Sequence, residues 1–163
     1  EKSFIDFLNK KSDLDLFEHS YKLYEKEMNE DAIVALNLCI ERKIHLDTCY
    51  FRLGNTYSTL GNNDLGIKYL KKSLDINPNY FYASFNLGAI YYDLLDFENS
   101  IYYYQIANKL EANNDYVLYG IAANQYAIQN YNESEKNCLE ALKINPNNSN
   151  AKELLQMLKD KKK

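Results

Sequence analysis

Few residues in this 163-residue chain have the types and spacing that chemistry requires. Cys39, His45 and Cys49 lie close enough in sequence to suggest a zinc site, because thiolate sulfur and imidazole nitrogen are preferred ligands of that ion. A fourth ligand is not evident. Cys39 and Cys138 both fall in core slots of the repeat pattern set out below, so each reads as a small apolar side chain. The expectation is therefore no metal and no cofactor. His19 alone makes no catalytic dyad and reads as a packed or partly exposed helix residue. Gly54, Gly61, Gly66 and Gly88 suit helix packing and turns, and they form no phosphate-binding loop, dinucleotide fingerprint or nucleophile elbow. No catalytic residue is assigned, and the chain is expected not to be an enzyme. Aromatic rings, by contrast, are abundant, with 16 Tyr and 7 Phe.

Charge and length narrow the classes further. The net charge is −4 and the pI about 5.2, with lysines mixed among carboxylates, which gives no electrostatic reason to expect a nucleic-acid partner. Lys159, Lys161, Lys162 and Lys163 are the sole basic cluster and read as a solvated, frayed helix end. No apolar run approaches the roughly 18–20 residues of a membrane span, and no secretory pattern opens the chain, so membrane insertion is not expected. Three cysteines, an odd number, fit a reducing compartment better than a disulfide framework, and the expected location is cytoplasmic. Because the chain begins with Glu1, a fragment of a longer protein is an open alternative.

The elements that would carry the rings are legible from self-similarity. The stretch from Asp47 to Tyr80 holds two amphipathic helical patterns separated by Leu60-Gly61-Asn62-Asn63 and ends on Asn77-Pro78, where a helix must stop. A shift of 34 residues, the distance from Gly54 to Gly88, reproduces the pattern before and after it. On that period the eighth slot reads Ser20, Gly54, Gly88, Ala122, the twentieth Ala32, Gly66, Ser100, Ser134, and the twenty-seventh Cys39, Ser73, Ala107, Ala141. All are small. Helix axes about 8–10 Å apart need such residues where they cross closely. Large residues such as Leu53, Leu87, Leu36, Leu70 and Tyr104 fill the layers between. Ser12 or Asp13 suits an N-cap for the first helix of this series, Asp47 or Thr48 and Asp115 open later ones, and Asn29 precedes a second helix.

At these residues the chain resembles the tetratricopeptide repeat family, through Leu53-Gly54 with Tyr57, Leu87-Gly88 with Tyr91, and the prolines Pro78 and Pro146. The resemblance implies an all-α, right-handed α-solenoid of four helix-turn-helix repeats, 13–46, 47–80, 81–114 and 115–148. Residues 1–12, with Phe4, Ile5, Phe7 and Leu8 out of register, form a helical extension; 149–163 form a capping helix and basic tail. His19, Gln125, Ile44 and Ala112 depart from the family pattern.

The resemblance also implies that the first helix of each unit lines a concave face on which peptides lie. The residues it assigns there for peptide binding are Phe51, Asn55, Tyr82, Phe85, Asn86, Tyr92, Tyr116 and Tyr119. Exposed aromatics supply large contact area at low entropic cost. Two readings of the rings stand, an apolar floor for a partner or packing between neighbouring first helices. A two-carboxylate clamp of the chaperone-binding kind is not expected: Asn55 and Asn86 match, but the cationic slots hold Phe51, Tyr116 and Gly120, and a carboxylate pair needs fixed cations. The sixth slot reads Glu18, Arg52, Asn86 and Gly120, which is no asparagine ladder.

The function expected from sequence is a protein-interaction adaptor or scaffold that holds a partner peptide or helix in the concave groove. Alternatives are a self-association module forming a homo-oligomer, and a regulatory or substrate-docking arm of a larger enzyme or co-chaperone.

Overall fold

The computed structural model describes residues 2–161; Glu1 and the last two residues of the expected basic tail, Lys162 and Lys163, lie outside the described residues. The described residues form ten α-helices and no strand. The described chain divides into two compact units, one ending at Pro78 and the other starting at Asn79.

The first unit contains α1 (Lys2–Asn9), α2 (Asp13–Glu25), α3 (Asn29–Glu41), α4 (Leu46–Thr59) and α5 (Asn63–Ile76). Here α2 packs on α3, α3 on α4 and α4 on α5. Leu8 of α1 is fully buried with Leu16, Leu23, Ala35, Leu36 and Leu53 in one cluster, with Phe4 packed against it. Arg42, the C-cap of α3, fastens the α1–α2 connection by donating to the carbonyls of Asn9 and Lys11, each at 3.0 Å, and pairing with Asp13 at 3.3 Å. His19 lies under the rings of Phe4 and Phe7, 6.4 and 5.6 Å away between centroids. A leucine slot can therefore carry histidine here, because α1 covers it.

The second unit contains α6 (Phe81–Asp93), α7 (Phe97–Leu110), α8 (Asp115–Ala127), α9 (Tyr131–Ile144) and α10 (Ser149–Lys161), with α6 on α7, α7 on α8, α8 on α9 and α10 on both α8 and α9. Ala151, Leu154 and Leu158 of α10 are buried in the clusters shared with those helices.

All the small slots of the 34-residue pattern are buried. They do more than avoid collision. Ser100 and Ser134 donate across their hairpins to the carbonyls of Gly88 and Ala122 at 2.7 and 2.8 Å, so the twentieth slot is hydrogen-bonded to the eighth. At Gly54 an added Cβ would stand 2.8 Å from Leu70 Cγ and 3.0 Å from the Gly66 carbonyl oxygen, closer than packed atoms tolerate.

The helix ends follow local chemistry with some corrections to the sequence reading. Ser12 rather than Asp13 caps α2, accepting from the Asp15 N–H; Asn62, Asp96 and Asn114 cap α5, α7 and α8 in the same way. Asp47 and Thr48 lie inside the first turn of α4, which starts after His45, and Asn29 is itself the first residue of α3. Asp47 instead accepts from Asn77 Nδ2 at 3.0 Å, and Asp115 likewise from Asn145 at 2.9 Å, so each carboxylate braces the far end of its own hairpin. Within each hairpin the turn residue is left-handed: Gly61 at φ +80°, and Glu27, Leu95 and Gln129 at 55°, 60° and 64°. Only the first has the residue type that conformation favours.

Candidate functional site

The side chains that converge in the second unit belong to α6, α7, α8 and α10. Phe85 and Tyr92 on α6 lie about two helical turns apart, and Tyr116, Tyr119, Gly120 and Ala123 follow one another at three- and four-residue steps on α8, which places each set on one side of its helix. With Tyr104 of α7 and Asn150 of α10 they enclose a pocket of about 180 Å³.

Tyr104 is the structural key to it. Its ring passes between two glycines: a Cβ at Gly88 would lie 2.8 Å from its Cγ, and one at Gly120 would lie 2.7 Å from its Cζ. The ring is 7% exposed and meets Phe85 edge-on at 5.6 Å, and burial pushes its phenol well above the ordinary range. Gly120 consequently has no room for a side chain, which is the physical reason that this sixth slot carries no cation.

Four of the eight residues assigned from sequence, Phe85, Tyr92, Tyr116 and Tyr119, line the pocket. Tyr116 is 58% exposed and Tyr92 37%, whereas Phe85 and Tyr119 are half-buried. Phe85 joins the cluster of Tyr104, Ala107, Val117 and Ile121, and Tyr119 packs on the clusters around Leu118 and Leu154, its phenol raised first by burial. These two thus serve the core with one side and the pocket with the other. Tyr82, 58% exposed, and the half-buried Asn86 belong to the same unit but do not line the pocket. Phe51 and Asn55 belong to the first unit, where Asn55 Nδ2 donates to the Tyr24 hydroxyl at 3.1 Å. The sequence reading missed Tyr104, Ala123 and Asn150 as pocket residues. Gly120 was the available signal, a mid-helix glycine where the other units carry a side chain.

The cysteines carry no such geometry. Cys39, Cys49 and Cys138 are buried and form no disulfide, Cys49 lies against the Ile44 carbonyl, and the His45 ring meets Phe17 at a tilt with centroids 4.4 Å apart. Among the described residues no group of three or more His, Cys, Asp or Glu is placed to hold a metal, and no helix is long and apolar enough to cross a membrane.

Residues 48–80 match the family model of the tetratricopeptide repeat. The chain thus contains a tetratricopeptide repeat over those residues. A tetratricopeptide repeat-containing protein of Methanocaldococcus jannaschii, MJ1345, is 31% identical over 75 residues, which cover 46% of this chain and 24% of that protein. The match thus spans about a quarter of the relative's length. Among solved structures, MamA of Desulfovibrio magneticus RS-1 superposes with a TM-score of 0.85 at 14% identity, covering 92% of this chain and 85% of that one. The first tetratricopeptide repeat domain of RPAP3, bound to the HSP90 peptide SRMEEVD, gives 0.68 at 22% identity over 71% and 92% of the two chains. YrrB, described as having an unusual peptide-binding site, gives 0.76 at 15% identity over 87% and 73%. At these identities the likeness is one of fold: consecutive helix pairs of the tetratricopeptide repeat kind.

Proposed function

We propose that this tetratricopeptide repeat chain is a non-catalytic adaptor or scaffold of the cytoplasm, built of four repeats, 13–46, 47–80, 81–114 and 115–148, with α1 and α10 as flanking helices. Its partner is a peptide or short helix lying on the first helices of the repeats, over Phe51, Asn55, Tyr82, Phe85, Asn86, Tyr92, Tyr116 and Tyr119. The observation that carries this reading is the pocket in the second unit, where two exposed tyrosines, Tyr92 and Tyr116, stand over a floor of packed rings. Such a recess takes one large apolar side chain and leaves phenol hydroxyls at its rim for backbone groups. Solved proteins of the same fold whose descriptions record a bound peptide or a peptide-binding site support the class of partner.

The test is selection of displayed dodecapeptides on the full chain, followed by anisotropy titration of the winners against wild type and Tyr92→Ala/Tyr116→Ala. Removal of an aromatic anchor is worth about 2 kcal/mol or more, or ~30-fold in Kd. A loss of that size with an unchanged melting curve is expected. Equal affinities would place the anchor elsewhere.

A further inference from the structure

Two of the three cysteines meet where α3 turns into α4. Cys39 stands near the end of α3 and Cys49 in the first turn of α4. On the repeat period the same two positions recur as Ala107 with Val117 and as Ala141 with Ala151, and each of those pairs shares one buried cluster. They mark the place where a second helix crosses the first helix that follows it. A disulfide joins Cα atoms roughly 4.4–6.8 Å apart, a separation that helices reach where small residues meet.

Cys39 and Cys49 are fully buried in one cluster. A single peptide group ties them: the Ile44 N–H donates to the Cys39 carbonyl at 2.9 Å, and the Ile44 carbonyl accepts from Cys49 Sγ at 3.2 Å. The two thiols lie within hydrogen-bonding reach of each other, and their acidities are split. The Cys49 thiol holds Cys39 below the ordinary cysteine value in spite of burial, helped by the Ser20 hydroxyl and by the charges of Arg42 and Arg52. Cys49 is pushed up by Cys39 and then by burial, so it stays protonated. Cys138, in the second unit, packs among Ala122, Leu154 and Leu158, and burial pushes it up to about 11. One cysteine pair therefore combines a sulfur suited to attack with a second sulfur beside it, and the remaining cysteine is a built-in control.

We propose that Cys39 and Cys49 are a modification site for hydrogen peroxide, a dithiol whose oxidation turns the packed seam between α3 and α4 into a covalent one. The Cys39 thiolate attacks one oxygen of the peroxide, the O–O bond breaks, and the departing hydroxide takes up a proton as water, leaving a sulfenic acid on Cys39. The Cys49 sulfur then attacks the Cys39 sulfur; the S–S bond forms, the S–O bond breaks, and the second hydroxide leaves with the Cys49 proton as water. Two thiols lose two electrons and the peroxide gains them. A dithiol reductant restores both thiols by exchange. Burial shields the pair from bulky thiol reagents, whereas peroxide is little larger than water and enters through fluctuations of the short connection. The link fastens the α4–α5 pair to the α2–α3 pair.

The test uses the full chain, folded and reduced. It is treated with hydrogen peroxide, alkylated in denaturant and digested with trypsin, which cuts after Arg42 and Lys43 and so puts Cys39 and Cys49 on separate peptides. A linked pair of these peptides is expected, forming about ten-fold or more faster than Cys138 is oxidised and removed by dithiothreitol. The linked chain should unfold at a higher urea concentration than the reduced one, because the bridge constrains the unfolded state. Alanine fills the matching positions at Ala107, Ala141 and Ala151, so Cys39→Ala and Cys49→Ala are expected to fold. Cys49→Ala should accumulate the sulfenic acid on Cys39, captured as a dimedone adduct, and Cys39→Ala should show neither a link nor an adduct on Cys49. Absence of the Cys39–Cys49 link at the dose that oxidises Cys138, or links scrambled among all three cysteines, overturns the inference. Peptide docking plays no part in either outcome.

Discussion

Replacing Gly120 by alanine should destabilise this protein, although alanine is the better helix former. An ordinary mid-helix glycine gains about 1 kcal/mol on that change. Here the new methyl would stand 2.7 Å from Tyr104 Cζ and 2.9 and 3.0 Å from the flanking ring carbons. The ring cannot swing clear, since its root is already held at Gly88, where the corresponding approach is 2.8 Å. Overpacking of a filled core costs roughly 1–3 kcal/mol. The balance is a net loss of about 1 kcal/mol for Gly120→Ala, and a larger one, about 2 kcal/mol, for Gly88→Ala, where the root and not the tip of the ring is struck. Urea unfolding followed by circular dichroism measures both. Tyr104→Leu removes the distal ring atoms, so the Gly120→Ala cost measured in that background should shrink or reverse, a coupling of about 1 kcal/mol between residues in contact. If Gly120→Ala raises stability by the full helical gain, Tyr104 is not wedged between α6 and α8 and the account of the pocket floor fails with it.

Two further outcomes follow from local geometry. Leu95 holds a left-handed φ of 60° while 71% exposed, so Leu95→Gly should relieve backbone strain, lose little packing and stabilise the chain by about 0.5–1 kcal/mol in the same unfolding assay. His19 is held below the ordinary histidine value of 6.5, first by burial and then by the positive charges of Lys11 and Lys22. Between the two midpoints the unfolded chain binds more protons than the folded one, so the contribution is present in full above pH 6.5 and is lost as pH falls from there through the lower folded midpoint. A titration of its ring protons should give a midpoint below 6.5 that rises in Phe7→Ala, and an unchanged midpoint would show that α1 does not cover it.

The helix pairs were legible because small residues recur at fixed slots, and the collisions at Gly54 and Gly88 show why those slots tolerate nothing larger. Ser12 as a cap was legible from residue type; the start of α4 at Leu46 was not, because His45 adopts a left-handed turn that no cap residue announces. The same holds at Glu27, Leu95 and Gln129, ordinary residues in the conformation that Gly61 adopts freely, where the N–H groups of each and of the residue after it donate back to carbonyls of the preceding helix. At the site, the family resemblance pointed to the rings of α6 and α8 but not to Asn150, which lies beyond the four repeats assigned from sequence. Tyr104 appeared as a filler of the layer, and its second role depended on Gly120, a pairing across helices that a one-dimensional pattern does not express.

Tyr104 is rooted in α7, the second helix of its pair, yet its ring forms part of a pocket whose other walls come mostly from first helices. A guest in that recess would press on a lever whose fulcrum is the opposite layer, where Tyr103 of the same helix stacks on Tyr91 at 5.6 Å. Displacing α7 is therefore expected to reshape the recess even where the change itself touches no pocket residue of α6, α8 or α10.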